Sequence, residues 1–305
     1  MSLFAASIAH AQIGVDFLPS GVAAVQLQTG KKSTASILKH TFIPAVGIQA
    51  QISALQNWVR DHHLQKTPCV CLISGDDCNV YQVEKPEVEA AEMIPALTWR
   101  VKDLLGYDVG SAVVDSYPMP KSSKNNTQQV SVVCAHESVV KSYVDSIKSV
   151  GLKLVAIDTH DLVGKNIPCI QHGVGQTQAV LTLEEKNGSL SIFHDGDLYV
   201  SRDLKIGVEQ VALASADDQS VYDSLFLEIQ RSLDYFESYY GLGSISCLHL
   251  FPQIPETEKM ARYLQNLTSF DIDFIGFGGE QSGNNAVLEP QCFHAYCAAL
   301  RGVAL

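Results

Sequence analysis

The sequence predicts a duplicated, two-lobed α/β protein with a small βαββαβ subdomain inserted into the first lobe. The duplication is predicted by a pattern of three antiparallel strands, a helix and a strand, which occurs near the amino terminus and again about 165 residues later. The 305-residue chain is also long enough for about two domains. An extra run of strands and helices between the two occurrences predicts the insertion. Two like lobes predict a cleft between them.

The first lobe begins with a β-meander. Pro19 and Gly21 mark its first turn, because proline presets φ and glycine accepts a positive φ. Apolar residues recur at helical spacing between positions 48 and 62 and predict a helix there. We expect the strands of this lobe at residues 12–17, 22–28, 33–42 and 68–73.

The second lobe begins near residue 177 and repeats the pattern. Asn187-Gly188 is a strong hairpin signal, and Asp195-Gly196 predicts a second tight turn. We expect strands at residues 178–183, 189–194, 197–204, 247–251 and 271–275, and helices at 221–240, 256–267 and 290–301.

A further block of elements lies between the two lobes. Its strands are expected at 79–83, 112–117, 129–134 and 153–157, and its helices at 87–105 and 138–149. The order β-α-β-β-α-β is the ferredoxin-like arrangement, and about 80 residues suit a compact subdomain. We therefore expect lobe I at residues 1–170, with the insertion at about 79–157 and the C-terminal helix 288–305, and lobe II at 171–287.

Charge and hydropathy exclude several classes of function. Asp and Glu number 33 against 21 Lys and Arg, a net charge of −12, so nucleic acid or an anionic membrane face is disfavoured as the main partner. No apolar run approaches the roughly 20 residues that cross a bilayer. The amino terminus carries Ala9-His10-Ala11, which resembles a signal-cleavage site, but it is short and lacks a basic leader. We interpret it as a frayed end.

The eight cysteines lie mostly inside apolar runs, which is typical of free, buried thiols in a reducing compartment. Cys292-x-His294-x-x-Cys297 resembles a metal-binding motif. Its helical spacing does not place all three side chains on one face, and no second Cys-x-x-Cys pair accompanies it. Buried side chains are therefore the favoured interpretation, and the chain is expected in the cytoplasm.

Four stretches carry a resemblance to a known family. They are residues 13–17 (IGVDF), Glu89-x-x-Glu92 followed by 99–105 (WRVKDLL), 114–120 (VDSYPMP) and 227–236 (LEIQRSLDYF). In this order they resemble the PilM-like proteins of type IV pilus biogenesis, most closely those of the mannose-sensitive haemagglutinin (MSHA) pilus, the MshI proteins. The resemblance implies the actin-like ATPase fold with a ferredoxin-like subdomain inserted early in lobe I.

The resemblance also implies a nucleotide site, whose first phosphate turn retains Asp16, Ser20 and Gly21 as remnants. Actin-like ATPases use glycine in such turns because any Cβ blocks close approach of the backbone to phosphate. Here the family's glycine falls on Leu18, and Pro19 has no N–H to offer. The family's lysine falls on Ala23. For Asp16, a polar residue beside a turn is the alternative interpretation.

The other two turns depart as well. In the second, the aspartate and glycine positions are Thr182 and Glu184, and Glu184 and Glu185 would bring carboxylates to the place of the phosphates. The third reads Phe251-Pro252-Gln253 instead of a glycine run. We therefore expect no bound cofactor and no catalysis, with ATP and Mg²⁺ as the alternative.

A peptide partner is implied by the same resemblance. PilM-like proteins bind the short N-terminal cytoplasmic tail of a bitopic, PilN-like inner-membrane protein as an extended peptide, in a groove between lobe I and the insertion. These tails carry apolar residues and an arginine, which an acidic surface suits. The side chains expected there are Tyr81, Trp99, Leu104, Asp115 and Tyr117, with local packing as the alternative for each.

The expected function is a cytoplasmic scaffold of an MSHA-type pilus assembly machine, which meets the inner membrane only through its partner. The alternative is an ATP-binding switch whose cleft closure alters its affinity for the partner. An unrelated kinase on the same fold is supported by analogy alone.

Overall fold

The computed structural model describes residues 11–29, 35–123, 127–167, 170, 175–214, 219–277 and 288–302. The chain forms two compact units. The first contains Met1–Gly75, Val139–Pro168 and Gly276–Leu305, and the second contains Asp76–Ser138 and Cys169–Ile275.

Strands and helices follow the predicted order. The strands are β1 Ala11–Leu18, β2 Gly21–Thr29, β3 Ala35–Pro44, β4 Pro68–Ile73, β5 Asn79–Glu84, β6 Ala112–Pro118, β7 Gln129–His136, β8 Lys153–Thr159, β9 Thr177–Leu183, β10 Gly188–His194, β11 Asp197–Leu204, β12 Cys247–Phe251 and β13 Asp271–Phe274. The α-helices are α1 Ile48–Asp61, α2 Met93–Val101, α3 Glu137–Val150, α4 His160–Val163, α5 Val208–Leu213, α6 Ser220–Tyr240, α7 Pro255–Gln265 and α8 Phe293–Ala299.

The first unit is built on a five-stranded sheet in the order β3-β2-β1-β4-β8. β1, β2 and β3 form an antiparallel meander, whereas β4 pairs in parallel with β1 and β8 in parallel with β4. Buried apolar residues predominate on the central strands, as expected where both faces of a sheet are covered, although β1 also buries Asp16. Ile13 and Val15 on β1, for example, are fully buried.

Helix α8 packs directly on this sheet at Gly14. A Cβ at position 14 would collide with the carbonyl oxygen of Ala295 and would lie 2.7 Å from the backbone nitrogen of Ala299. Both alanines are fully buried. Glycine on the strand and alanine on the helix therefore allow the two backbones to approach closely.

The sheet of the second unit repeats this topology in the order β11-β10-β9-β12-β13. Its first three strands are again an antiparallel meander, and β12 and β13 again join in parallel. Helix α6 buries one face against the core, with Leu225, Ile229 and Phe236 almost fully enclosed. The repeated pattern predicted from the sequence is thus present in both sheets.

The insertion differs from the expected four-stranded, ferredoxin-like sheet. Its described sheet has three strands in the order β5-β7-β6, both pairs antiparallel, and Leu97 and Val101 of α2 pack into its core. The expected fourth strand, β8, instead pairs with β4 in the first sheet, and α3 belongs to the first unit. The physical reason is that β8 follows the turn at Gly151 and completes a parallel pair beside a buried strand.

Seven cysteines lie in the described part of the chain, and no disulfide bond joins any two of them; six are buried and Cys247 is half-buried. Cys169 and the predicted frayed end at residues 1–10 lie outside the described residues. None of the helices in the described ranges combines the length and the apolar character needed to cross a membrane.

Candidate functional site

Asp16 is the centre of a cluster of titratable side chains in the first unit, in which Asp16 is buried and His160 and His294 are partly buried. Asp16 lies on β1 and is 1% exposed, and its Oδ2 is 2.9 Å from Nε2 of His160, the first residue of α4. The ring of His294, on α8, stands edge-on to the ring of His160 with 4.8 Å between centroids. Nitrogen and oxygen atoms from all three side chains lie within 4.8 Å of one another.

The electrostatics of this cluster favour an ionised Asp16 and a neutral His294. Burial by itself raises the pKa of Asp16, but the charge of His160 and its hydrogen bond oppose burial, so that the pKa is lowered. Burial lowers the pKa of His294 to about 3, and the charge of His160 acts in the same direction. One oxygen of the Asp16 carboxylate is therefore already bonded to a protein side chain, which competes with a hydrated Mg²⁺ for the carboxylate.

This cluster predicts an acid-sensitive stability. The unfolded chain takes up a proton at His294 below the ordinary histidine pKa of 6.5, whereas the folded chain does so only near pH 3. Stability is therefore lost as the pH falls through that window, by up to about 1.4 kcal/mol per pH unit for one group. Asp16 acts in the same direction as the pH falls from 3.8 towards the lowered pKa of the folded state. Urea unfolding between pH 7 and 4 should show a shallower slope for His294→Phe.

The matched control for that measurement is His62→Gln, because His62 is exposed at the end of α1. We expect it to keep the wild-type dependence of the unfolding free energy on pH. Equal slopes for His294→Phe and the wild type would contradict the assignment of a neutral, buried imidazole to His294.

The first predicted phosphate turn is a two-residue β-hairpin. Leu18 pairs with Gly21 across Pro19 and Ser20. The side-chain amide of Gln51, buried on α1, donates a hydrogen bond of 2.8 Å to the carbonyl of Leu18. This hydrogen bond ties the hairpin to helix α1 and occupies a backbone carbonyl of the hairpin.

Gly21 is required by strand packing. A Cβ at this position would lie 2.8 Å from the ring of Phe42 and would collide with the carbonyl oxygen of Ile43, both on β3. The glycine is therefore explained by the approach of β3 without any phosphate.

The second predicted phosphate turn connects β9 to β10. Thr182 stands where the family has aspartate, and its hydroxyl is 2.6 Å from the hydroxyl of Ser189 on β10. The N–H of Glu184 donates to the carbonyl of Asn187 at 2.8 Å, which closes the turn. A threonine bonded across the hairpin offers no carboxylate for a metal ion.

Two backbone carbonyls of this turn accept hydrogen bonds from the first N–H groups of α5. The N–H of Val208 donates to the carbonyl of Glu184 at 2.8 Å, and the N–H of Glu209 donates to the carbonyl of Glu185 at 2.9 Å. A Cβ on Gly207 would lie 2.6 Å from the Glu184 carbonyl oxygen. Amides that would otherwise bind an anion are thus already satisfied by the protein.

The third predicted phosphate turn follows β12. Phe251 and Pro252 are buried at the end of the strand. The carbonyl of Pro252 accepts a hydrogen bond of 2.6 Å from the hydroxyl of Thr257 in the first turn of α7. A buried aromatic residue and a proline therefore stand where the family has glycines that pack on adenosine.

The insertion exposes apolar side chains on and after α2. Trp99 is 67% exposed and Leu104 is 53% exposed. The ammonium of Lys102 lies 4.9 Å from the centroid of the Trp99 ring, and the hydroxyl of Tyr81 donates to the carbonyl of Leu104 at 2.9 Å. The structure thus brings Tyr81 and Leu104 together on the side of the sheet that α2 covers.

Asp115 and Tyr117 lie on the other face of the same sheet. Tyr81 is opposite Val132 on the central strand β7, whereas Asp115 is opposite Val133, and neighbouring residues of a strand point to opposite faces. Oδ1 of Asp115 accepts the N–H of Ser116 at 2.7 Å. The five predicted peptide-binding residues therefore fall into two sets, one on each face of the sheet.

His160 and His294 were not predicted as partners of Asp16. The only sequence signals were the polar run around residue 160 and the motif that contains His294. That motif does not converge on one point: His294 faces Asp16, while Cys292 lies near His40 and Glu289. Cys297 is buried in α8, where its carbonyl accepts a hydrogen bond from the Asn166 side chain.

Neither protein-family models nor curated protein sequences give a match to this chain. Several solved structures, in contrast, are similar to this chain. A chain of the PilM-PilN type IV pilus biogenesis complex is 17% identical, with a TM-score of 0.72 over 96% of this chain and 99% of that chain. The cytoplasmic domain of EpsL, an inner-membrane component of the type II secretion system of Vibrio cholerae, is 12% identical, with a TM-score of 0.50 over 80% and 83%.

A protein of unknown function from Bacteroides thetaiotaomicron, described as having the actin-like ATPase fold, is 8% identical, with a TM-score of 0.50 over 94% of this chain and 95% of that chain. Identities this low speak for the fold alone. The resemblance drawn from the sequence is therefore confirmed in its fold, which is that of an actin-like protein similar to the pilus component.

Proposed function

We propose that this chain is a PilM-like scaffold of type IV pilus assembly, which binds the N-terminal cytoplasmic tail of a PilN-like inner-membrane protein. The observation that carries the proposal is the fold match along almost the whole of both chains to a component of the PilM-PilN complex. The similarity to the EpsL cytoplasmic domain supports a role in a machine assembled at the inner membrane. On this proposal the chain is cytoplasmic and reaches the membrane through its partner.

The insertion is the surface that suits an extended peptide. β5 and β6 each have one paired neighbour among the described strands, so the backbone of a peptide has an edge to pair with. A peptide added to an edge directs alternate side chains to the two faces of the sheet. That alternation accounts for predicted contact residues on both faces, with Trp99 and Leu104 on one and Asp115 and Tyr117 on the other.

The two faces of the sheet suit different side chains of the tail, one face apolar residues and the other a basic residue. Trp99 and Leu104 offer exposed apolar area to apolar residues of the tail. Asp115 is exposed on β6, where a carboxylate suits an arginine. The net charge of −12 would add a long-range attraction for a basic tail.

We further propose that the pilus is of the MSHA type. Support comes from the order of the stretches at 99–105, 114–120 and 227–236, which resemble those of MshI proteins. These stretches form α2 with the turn after it, the end of β6, and the middle of α6. Two of the three therefore lie in the proposed peptide-binding insertion.

The binding test is a titration of a fluorescently labelled peptide, taken from the N-terminal cytoplasmic tail of a PilN-like protein of the same organism, followed by anisotropy. We expect a dissociation constant in the micromolar range or tighter. A scrambled peptide of the same composition is the control, because it keeps the charge and loses the register. Absence of binding at about 100 µM would contradict the proposal, since that affinity gives only about 5.5 kcal/mol of binding free energy.

We also propose that the nucleotide site has lost productive ATP binding. Support comes from the three turns: Gln51 holds the first, the amides of α5 are taken by the carbonyls of the second, and Pro252 follows the strand at the third. The direct bond from His160 to Asp16 removes the remaining carboxylate from easy use by Mg²⁺.

Thermal unfolding with and without MgATP tests this loss. We expect an unchanged melting temperature, whereas a ligand at 100 times its dissociation constant would stabilise the chain by about 2.7 kcal/mol. The tail peptide is the positive control in the same assay. A stabilisation by MgATP that disappears in Asp16→Asn would favour the ATP-dependent switch instead.

A further inference from the structure

A second cluster of metal-ligating side chains lies in the first unit, away from Asp16. His40 comes from the edge strand β3, Glu289 precedes the short 3₁₀ helix Pro290–Cys292, and Cys292 ends it. Their imidazole nitrogen, carboxylate oxygen and Sγ atoms all lie within 4.8 Å of one another. Almost 250 residues separate His40 from the other two, so only the fold brings the three together.

Backbone hydrogen bonds hold two of these side chains in place. The N–H of Phe42 donates to Oε2 of Glu289 at 2.8 Å. The N–H of Cys292 donates to the carbonyl of Glu289, also at 2.8 Å, and this bond fixes the turn that carries both residues. Such outer contacts, which orient a ligand without using all of its atoms, are typical of metal sites.

An unsatisfied nitrogen of His40 is independent support for a bound ligand in this cluster. Its Nδ1 is buried and has no hydrogen-bond partner in the described structure. Buried polar atoms without partners are rare in folded proteins and call for a physical explanation. Coordination of a cation through this nitrogen would satisfy it.

The donor set selects the metal. Cysteine sulfur, histidine nitrogen and a glutamate oxygen together are zinc ligands, whereas Mg²⁺ and Ca²⁺ prefer oxygen alone. Bonds of about 2.0–2.3 Å place the ligands of a tetrahedral zinc ion roughly 3.3–3.8 Å apart. The distance from Cys292 Sγ to Glu289 Oε2 is already 3.8 Å, and every pair of ligand atoms lies within 4.8 Å. Because Glu289 is exposed, solvent can reach the ion, and a water molecule would complete the four ligands of the zinc.

The cluster around Asp16 is a weaker candidate for a metal site. There the carboxylate and the His160 imidazole are already bonded directly at 2.9 Å, and burial and charge account for the state of His294. In the second cluster the contact between the Cys292 thiol and Oε2 of Glu289 is long, at 3.8 Å.

We propose that His40, Glu289 and Cys292 form a zinc site, which clamps the segment leading into α8 to the free edge of β3. Zinc binds cysteine as the thiolate, so the proton of the Cys292 thiol leaves to solvent when the metal binds. The clamp adds a metal bridge to the hydrogen bond between Phe42 and Glu289, which already joins this edge strand to the segment before α8.

The test uses the full chain, stripped of metal and titrated with Zn²⁺ against a chromophoric chelator, and with Co²⁺ as a spectroscopic probe. We expect one tight equivalent and a thiolate-to-cobalt charge-transfer band in the near ultraviolet. His40→Gln and Cys292→Ser should each lose the band and weaken zinc binding at least about tenfold. Cys247→Ser and His160→Gln are the controls and should keep both.

Loss of zinc binding in His40→Gln or Cys292→Ser could also result from misfolding. Glu289→Gln changes the third ligand at an exposed position and therefore separates the two causes. It should remain folded by circular dichroism and bind zinc more weakly than the wild type. Absence of a tight equivalent in the wild-type chain would overturn the proposal. So would unchanged affinity in Glu289→Gln, or loss of the cobalt band in His160→Gln, which would assign the metal to the Asp16 cluster.

Discussion

Replacement of Gly14 by alanine should destabilise the chain by roughly 3 kcal/mol or prevent its folding. The added methyl group would collide with the carbonyl oxygen of Ala295 and would lie 2.7 Å from the backbone nitrogen of Ala299. Both obstacles are main-chain atoms of a buried helix, so no flexible side chain can move aside. Helix α8 would have to separate from β1, and the apolar surface between them would be exposed to water.

Urea unfolding of the wild type, Gly14→Ala and Gly75→Ala measures this effect. Gly75 is the matched control, because a Cβ there meets no atom within 4 Å and its backbone does not require a positive φ. We expect Gly75→Ala to unfold within about 0.5 kcal/mol of the wild type. Equal stabilities for the two alanine variants would show that α8 does not pack on β1 at this distance.

Replacement of Trp99 by alanine should weaken binding of the tail peptide by roughly 2 kcal/mol, or about 30-fold. Tryptophan is the residue with the largest apolar area to offer a partner, and 67% of it is open to solvent in the free chain. The same exposure means that its removal leaves the core of the insertion intact. Fluorescence anisotropy with the labelled tail measures the change.

Leu227→Ala is the control for a general loss of exposed apolar surface. Leu227 lies on α6, outside the insertion, and is 49% exposed. It should bind the tail with wild-type affinity, and both variants should keep the wild-type melting temperature. If Trp99→Ala binds as well as Leu227→Ala does, the peptide does not use the α2 face.

Local patterns predicted the elements well. Alternation and turn chemistry placed the first strand at residues 12–17, and the structure has it at Ala11–Leu18. The Asn187-Gly188 and Asp195-Gly196 signals correspond to the two ends of β10, and residues 195 and 196 both have positive φ. These features depend on neighbouring residues, which are visible in a sequence.

Partners across the fold were harder to predict. The pattern at 153–157 correctly indicated a strand but not that it would pair with β4 instead of the insertion, because edge pairing depends on which buried neighbour is available. The link between Asp16 and His160 spans 144 positions. The exposure of Trp99, which was weighed against a core position, likewise depends on the way α2 rotates over its sheet.

A crystal structure of the chain grown with both the tail peptide and MgATP tests the central claim most directly. We expect the peptide paired to an edge of the β5-β7-β6 sheet beside Trp99, and no nucleotide at the turns of Leu18, Glu184 and Pro252. Ordered ATP with Mg²⁺ in contact with those turns, and with Asp16 released from His160, would contradict the account.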